Sequence, residues 1–269
     1  MISSGVFIIL GVLVGCLGSL LGVGGGFILV PFFFLFMPHL GVDTITGASL
    51  TLVFFNALSG SIAYSLKKRI DYRAALLFAL AGVPGALLGA LMTSYIPKSN
   101  FQLGFGCLMI LMSIYLFQHS RKQPPQNASP TDEQIQSSAQ GPQGYNLAMG
   151  IGISLFIGFM SSLLGIGGGI VHVPLMIRVL HFPVLVATAT SHLILSIVSL
   201  SSVLEHLWRG TISPLYGPLL WLIPSVMVGA QVGAHFSDKV KDIWLLRILS
   251  AVLFLTGLRF FWISQQLVN

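Results

Sequence analysis

The chain of 269 residues is 55% hydrophobic and only 7% charged, with 13 Lys and Arg against 7 Asp and Glu. Soluble domains carry about 25% charged residues. A mean hydropathy of +0.90 and repeated apolar runs of about 20 residues therefore make lipid the solvent. Soluble enzymes, nucleic-acid binders and disordered scaffolds are excluded, because the scattered cations form no stripe for a nucleic acid to follow.

The first apolar stretch, 5–37, is too long for one straight span. Its 33 residues would make a helix of about 50 Å against a hydrocarbon core of about 30 Å. Gly24-Gly25-Gly26 sits in its middle, and three glycines cost a helix about 2–3 kcal/mol relative to alanine. The helix is expected to break there and restart at Phe27, as a folded-back hairpin or as a bent single crossing. Leu13-Val14-Gly15-Cys16 has the form of a lipoprotein cleavage box, but Met1 to Leu10 contains no basic residue to precede it. Cys16 and Cys107 lie in apolar runs and read as small core residues. Further spans are predicted near 44–66, 73–95 and 100–118.

A stretch rich in Pro, Gln and Ser follows and has no apolar face to fold around. The resulting division is a first transmembrane repeat 1–118, a polar linker 119–146 expected on the cytoplasmic side, and a second repeat 147–269. Asn127-Ala128-Ser129 fits a glycosylation pattern by chance in such a loop. Beyond the linker, a stretch 147–180 is expected to break at Gly167-Gly168-Gly169 and restart at Ile170. Spans near 186–207, 214–236 and 243–264 complete the series.

The halves resemble each other. GCLGSLLGVGGGFILVP at 15–31 and GFMSSLLGIGGGIVHVP at 158–174 are identical at ten of seventeen positions. Ser49 falls opposite Ser191, and Tyr64 opposite His206. The fold class expected is an all-α polytopic membrane protein with two homologous halves, each one Gly-broken element plus three transmembrane helices. If each broken element is a hairpin, the halves are inverted. Ten cations, among them Lys67, Lys68, Arg69 and Arg178, then share one side, with Lys98, Arg209 and Arg259 opposite. Single crossings give parallel halves and a weaker eight-to-five bias, so the positive-inside rule favours inversion.

The glycine triplets Gly24, Gly25, Gly26 and Gly167, Gly168, Gly169 are the first candidates for binding. A helix restarting after them exposes backbone N–H groups with no intrahelical partner, an arrangement that suits an anion. The competing explanation is close helix packing, as the four-residue spacing of Gly18, Gly22 and Gly26 allows. Ser19 and Ser162 could add hydroxyl donors, with Ser161 beside the latter. Pro31 and Pro174, early in the restarted helices, would reduce the number of orphan N–H groups. Ser49 and Ser191 are candidate symmetric lining positions, and His192 follows directly. His172 lies one turn into the restarted helix, where an imidazole can donate to an anion or carry a proton. Interhelical hydrogen bonding is the plain alternative for each. Asn56 has no polar counterpart, since Val198 aligns with it. All seven acids fall in loops or near span ends, and His181, His206 and His235 read as interfacial. No phosphate loop, metal motif or catalytic constellation is present, so neither a cofactor nor a bound metal is expected, and no enzymatic activity.

The duplicated SLLGVGGGFILVP and SLLGIGGGIVHVP, with VATATSH at 186–192 and GAQVGAHF at 229–236, resemble the sulfite exporter TauE/SafE family, also called the TSUP permeases. The resemblance covers nearly the whole chain apart from the linker. It implies a bacterial or archaeal inner-membrane carrier of sulfur-containing anions. Where the second half has Ala189-Thr190-Ser191-His192, the first has Gly47-Ala48-Ser49-Leu50, so the half-sites are expected to contribute unequally.

The function expected is a secondary transporter for a small anion, such as sulfite, thiosulfate or an organosulfonate, working by alternating access. A passive anion channel or a non-transporting membrane scaffold is the alternative. The partners expected are the anion and the lipid bilayer, with no nucleic acid, and a homo-oligomer is left open.

Overall fold

A computed structural model describes residues 4–122, 147–237 and 250–261. Every regular element among them is helical: α1 (Ser4–Leu21), α2 (Gly26–Phe36), α3 (Val42–Leu66), α4 (Tyr72–Thr93), α5 (Lys98–Lys122), α6 (Leu147–Leu164), α7 (Gly169–Arg178), α8 (Val184–Trp208), α9 (Tyr216–Phe236) and α10 (Ser250–Phe261). A short 3-10 turn, Ser213–Leu215, leads into α9. Seven of the described helices are long and apolar enough to cross a membrane, whereas α2, α7 and α10 are shorter. Of the predicted linker, its first residues extend α5 to Lys122, and 123–146 lie outside the described residues, as do 238–249.

The helices fall into two compact units that cut across the sequence halves. One holds Met1–Ser94 and Thr131–Ser237, hence α1–α4 and α6–α9. The other holds Tyr95–Pro130 and Asp238–Asn269. In the latter, α5 and α10 pair antiparallel: Ser113 donates to the Ser250 carbonyl at 2.7 Å, and the Phe105 and Phe260 rings lie 5.0 Å apart.

In the larger unit, glycines set the helix crossings. A Cβ on Gly85 of α4 would stand 2.1 Å from the carbonyl oxygen of Leu155, and one on Gly158 of α6 would stand 2.2 Å from that of Gly82. Only glycine lets the backbones approach so closely, which is how helices associate where lipid removes the hydrophobic drive. Gly15 and Gly233 bring α1 and α9 together in the same way, against Val226 and Cys16. Leu80, Leu87, Leu88 and Leu91 of α4 stay exposed, as a lipid-facing stripe requires.

Contacts also fix directions. Along α1, Gly11 meets Ser225 and Gly15 meets Val226 and Ala230, so α1 and α9 run parallel; α4 and α6 do likewise. Gly47 meets His206 while Gly60 meets His192, so α3 and α8 run antiparallel. These two helices correspond in sequence, so the corresponding segments point in opposite directions.

The broken elements are folded-back hairpins. Phe7 of α1 reaches Phe32 of α2, with ring centroids 6.4 Å apart, and Ser154 of α6 reaches His172 of α7 at 3.3 Å. Each pair joins a residue ten or more positions before the end of the first helix to one in the second, which a single bent crossing would hold apart. The helices restart at Gly26 and Gly169, one residue before the expected positions. Pro31 and Pro174 are each the sixth helical residue, beyond the first four N–H groups, so they relieve none of the orphan donors.

Lys67, Lys68, Arg69, Arg73 and Arg178 lie at one end of this unit, where Tyr64 and Ile70 share a core cluster with Leu180 and Phe182. Arg209 lies at the other end, within 3.9 Å of Asp43 and 3.1 Å of Glu205. Glu205 is itself buried, although it lies in the last turn of α8. His206, expected at the interface, is fully buried and bonds Thr211 at 3.0 Å, because the missing side chain of Gly47 makes room for its ring.

Candidate functional site at the two helix breaks

At each break the chain reverses through three left-handed glycines. In the first these are Gly22, Gly24 and Gly25, with φ of 74°, 82° and 83°; in the second they are Gly165, Gly167 and Gly168, with φ of 71°, 81° and 74°. An L side chain in that region costs about 1–2 kcal/mol per residue, so these positions are reserved for glycine. The third triplet member, Gly26 or Gly169, has a different task. A Cβ on Gly26 would stand 2.7 Å from the Gly165 carbonyl oxygen, and one on Gly169 would stand 2.3 Å from that of Gly22. The two breaks therefore touch, backbone to backbone.

Neither restarted helix has a side-chain cap. Ile28 and Leu29 of α2 donate to the Gly25 carbonyl, and Val171 and His172 of α7 to that of Gly168. The N–H groups ahead of them at each helix start have no intrahelical acceptor, and each start carries about half a positive charge. Val53 and Leu195 form an apolar cluster with Ala57 between the breaks. Val53 lies against Gly24 and Gly167, and Leu195 lies against Gly24.

The two serines predicted as a symmetric pair are used symmetrically. Ser49 donates to the carbonyl of Gly165 at 2.6 Å, and Ser191 to the carbonyl of Gly22 at 3.4 Å. Each ties its long helix to the first left-handed glycine of the opposite half. Their protons are committed to those carbonyls.

Ser19 and His192 come together, with Oγ and Nε2 3.3 Å apart. The other ring nitrogen, Nδ1, is 3.1 Å from the Thr188 carbonyl and donates to it. Nε2 of a neutral ring is then an acceptor for the Ser19 hydroxyl. Tyr64 closes the group: its hydroxyl donates to the Ser19 carbonyl at 2.8 Å, and its ring meets His192 edge-on. The corresponding place in the other half is filled differently, by Ser162 and Ser202, whose hydroxyls are 2.5 Å apart.

His172 stands at the second break, 2% exposed. Its Nε2 is 3.3 Å from Ser154 Oγ, whereas Nδ1 has no hydrogen-bond partner. Ser161 is equally buried and its hydroxyl is also unpaired. Both line a small cavity with Ser154, Gly167, Gly168 and Val198. The cavity is about 10 Å³, room for about one water molecule. At the first break the unpaired group is Asn56, with neither amide atom bonded.

Symmetry at the level of sequence set Asn56 aside, because Val198 matches it, and read Gly22 and Gly165, which precede the triplets, as packing glycines rather than as parts of the turn. The repeated LLGVGGG and LLGIGGG did carry a signal for those two glycines. Among the described residues no group of three His, Cys, Asp or Glu side chains could hold a metal ion.

A model of the family described as Sulfite exporter TauE/SafE matches residues 7–260. The chain is 33% identical to the probable membrane transporter protein YunE of Bacillus subtilis, over 94% of this chain and 95% of that one. It is 25% identical to the probable membrane transporter protein MJ0441 of Methanocaldococcus jannaschii, over 93% and 92% of the two chains. No solved structure shows significant similarity.

Proposed function

The chain belongs to the sulfite exporter TauE/SafE family, integral membrane proteins that are transporters and not enzymes, and we propose that it carries a small sulfur-containing anion. The observation that carries this reading is the second break. There an uncapped helix start, Ser161 and His172 line one buried cavity, and the Ser161 hydroxyl and His172 Nδ1 have no hydrogen-bond partner. Buried polar groups are almost always hydrogen-bonded; the cavity as it stands admits about one water, and an oxyanion takes that water's place when the break opens. Backbone amides at a helix start favour an anion.

The substrate is sulfite, thiosulfate or an organosulfonate, held at Gly24–Gly26 and Gly167–Gly169 by backbone amides. His172 adds a donor at the second break. Ser49 and Ser191 hold the two breaks against each other, and Ser19, Ser162 and His192 support them from behind. Transport is by alternating access between halves whose corresponding helices α3 and α8 run in opposite directions. The Val53 and Leu195 cluster between the breaks favours a carrier over an open channel. The end bearing Lys67–Arg69 and Arg178 faces the cytoplasm of a bacterial or archaeal cell, by the positive-inside rule.

Flux of labelled sulfite, thiosulfate, sulfate and sulfoacetate into proteoliposomes tests the reading. Saturable flux of at least one is expected. Flux of none removes the sulfur-anion assignment, and flux that never saturates would favour a channel.

A further inference from the structure

Asn56 on α3 is 0% exposed, and neither Nδ2 nor Oδ1 has a hydrogen-bond partner. A primary amide unpaired at both ends inside a membrane protein marks a partner that is not protein. Its surroundings say where that partner sits. The position of a Cβ on Gly18 lies 2.3 Å from Asn56 Nδ2 and 2.8 Å from Gly25 N. The position of a Cβ on Gly25 lies 3.6 Å from the same Nδ2. With no side chain on either glycine, the amide faces the backbone where the 11-residue α2 begins, uncapped.

The two breaks thus share one plan with different side chains. Each has an uncapped helix start and a buried polar set without partners, an amide at the first and a hydroxyl with an imidazole at the second. Val198, which occupies the sequence position matching Asn56, lines the second cavity and contributes no polar atom.

We propose that Asn56 is the ligand-contacting residue of the first break, and that its amide selects a monoanion that carries a hydrogen over a fully deprotonated dianion. This rests on the anion-carrier reading above. Whichever way the amide is turned, it presents a donor and an acceptor. The donor suits any oxyanion. The acceptor repels a bare anionic oxygen and requires a hydrogen from the ligand. Charge balance agrees: two helix starts supply about one positive charge together, and Asn56, Ser161 and the glycines around them carry none. Hydrogen sulfite has the required single charge and hydrogen; sulfate does not.

The test is sulfite uptake into proteoliposomes across the second ionisation of sulfurous acid, with sulfate as a competitor. For the wild type, KM in total sulfite should rise with pH while staying constant when expressed as hydrogen sulfite. Sulfate should compete poorly. Asn56→Ala should raise KM about tenfold with little change in maximal rate, the loss expected for one hydrogen bond to a charged ligand. The near-isosteric Asn56→Leu should lose saturable uptake while melting no lower than the wild type, which separates ligand contact from a purely structural role. An unchanged KM in both variants overturns the proposal and leaves the anion reading standing. A KM that is constant as the dianion overturns the selectivity even if neither variant folds. Absence of sulfite flux in a wild type that carries thiosulfate or sulfoacetate removes this proposal alone, and flux of none of these anions removes the anion reading with it.

Discussion

Ser49 on α3 donates its hydroxyl to the carbonyl oxygen of Gly165, 116 residues further along the chain and 2.6 Å away. The bond joins a long helix of one half to the left-handed turn of the other. Ser191 makes the reciprocal bond to Gly22, stretched to 3.4 Å. Ser49→Ala leaves a buried carbonyl unpaired and should destabilise the protein by about 1 kcal/mol. Ser191→Ala should cost less, because the bond it removes is longer. Thermal unfolding of the purified variants in detergent checks the order; equal losses, or a larger loss at Ser191, would contradict it.

Gly60 is the floor beneath His192. A Cβ there would stand 2.5 Å from His192 Cδ2 and 2.7 Å from Ser19 Oγ. Gly60→Ala should therefore separate His192 from Ser19 and destabilise by about 1–3 kcal/mol, the usual cost of overpacking. Transport should fall with it while membrane insertion is retained. Normal stability and normal flux together would show that the Ser19–His192 contact is dispensable.

Two glycines of α6 make a paired comparison. Around Gly152 a Cβ meets nothing within 4 Å, whereas on Gly158 it would strike the Gly82 carbonyl oxygen at 2.2 Å. Gly152→Ala should be neutral or stabilising by up to about 1 kcal/mol, from helix propensity alone. Gly158→Ala should force α4 and α6 apart and lower the melting temperature. Similar melting temperatures for the two variants would mean that the crossing is looser than described.

The left-handed positions should behave differently from the crossing positions. Gly25→Ala meets both a φ of 83° and the Val14 side chain at 2.5 Å, so backbone strain of about 1–2 kcal/mol adds to the crowding. Gly217→Ala, in a helix with open space around it, should leave melting and flux unchanged. Comparable stability of the two variants, measured side by side, would argue against the assigned backbone conformation.

Where the helices break was legible in the sequence, because three adjacent glycines cannot hold a helix in competition with alanine-like neighbours. What each break becomes was not. A hairpin and a bent crossing have the same local sequence, and only long-range contacts such as Phe7 with Phe32 and Ser154 with His172 separate them. The pairing of Ser49 with Ser191 was visible as a repeat, but not that each hydroxyl reaches across to the opposite half. Asn56 was visible but discounted for want of a partner in the other half, and the reason is physical: the halves fill equivalent places with unlike residues. Gly60 and His192 pack together beside Ser19, where Ser202 alone reaches Ser162 in the other half. A search for symmetric polar pairs therefore misses the groups that differ. Burial of His206 and Glu205 escaped notice similarly, since their place near a helix end suggests exposure until Gly47 is seen opposite.

The most direct test of the account is equilibrium binding of labelled sulfite, thiosulfate and sulfoacetate to the purified protein and to Gly168→Leu. Leucine at this position would fill the space beside Ser161 and Ile157 at the start of α7. Saturable binding of at least one anion to the wild type, lost in a variant that still inserts and stays helical, is the predicted result. Equal binding by both proteins would contradict the claim that the helix breaks hold the anion.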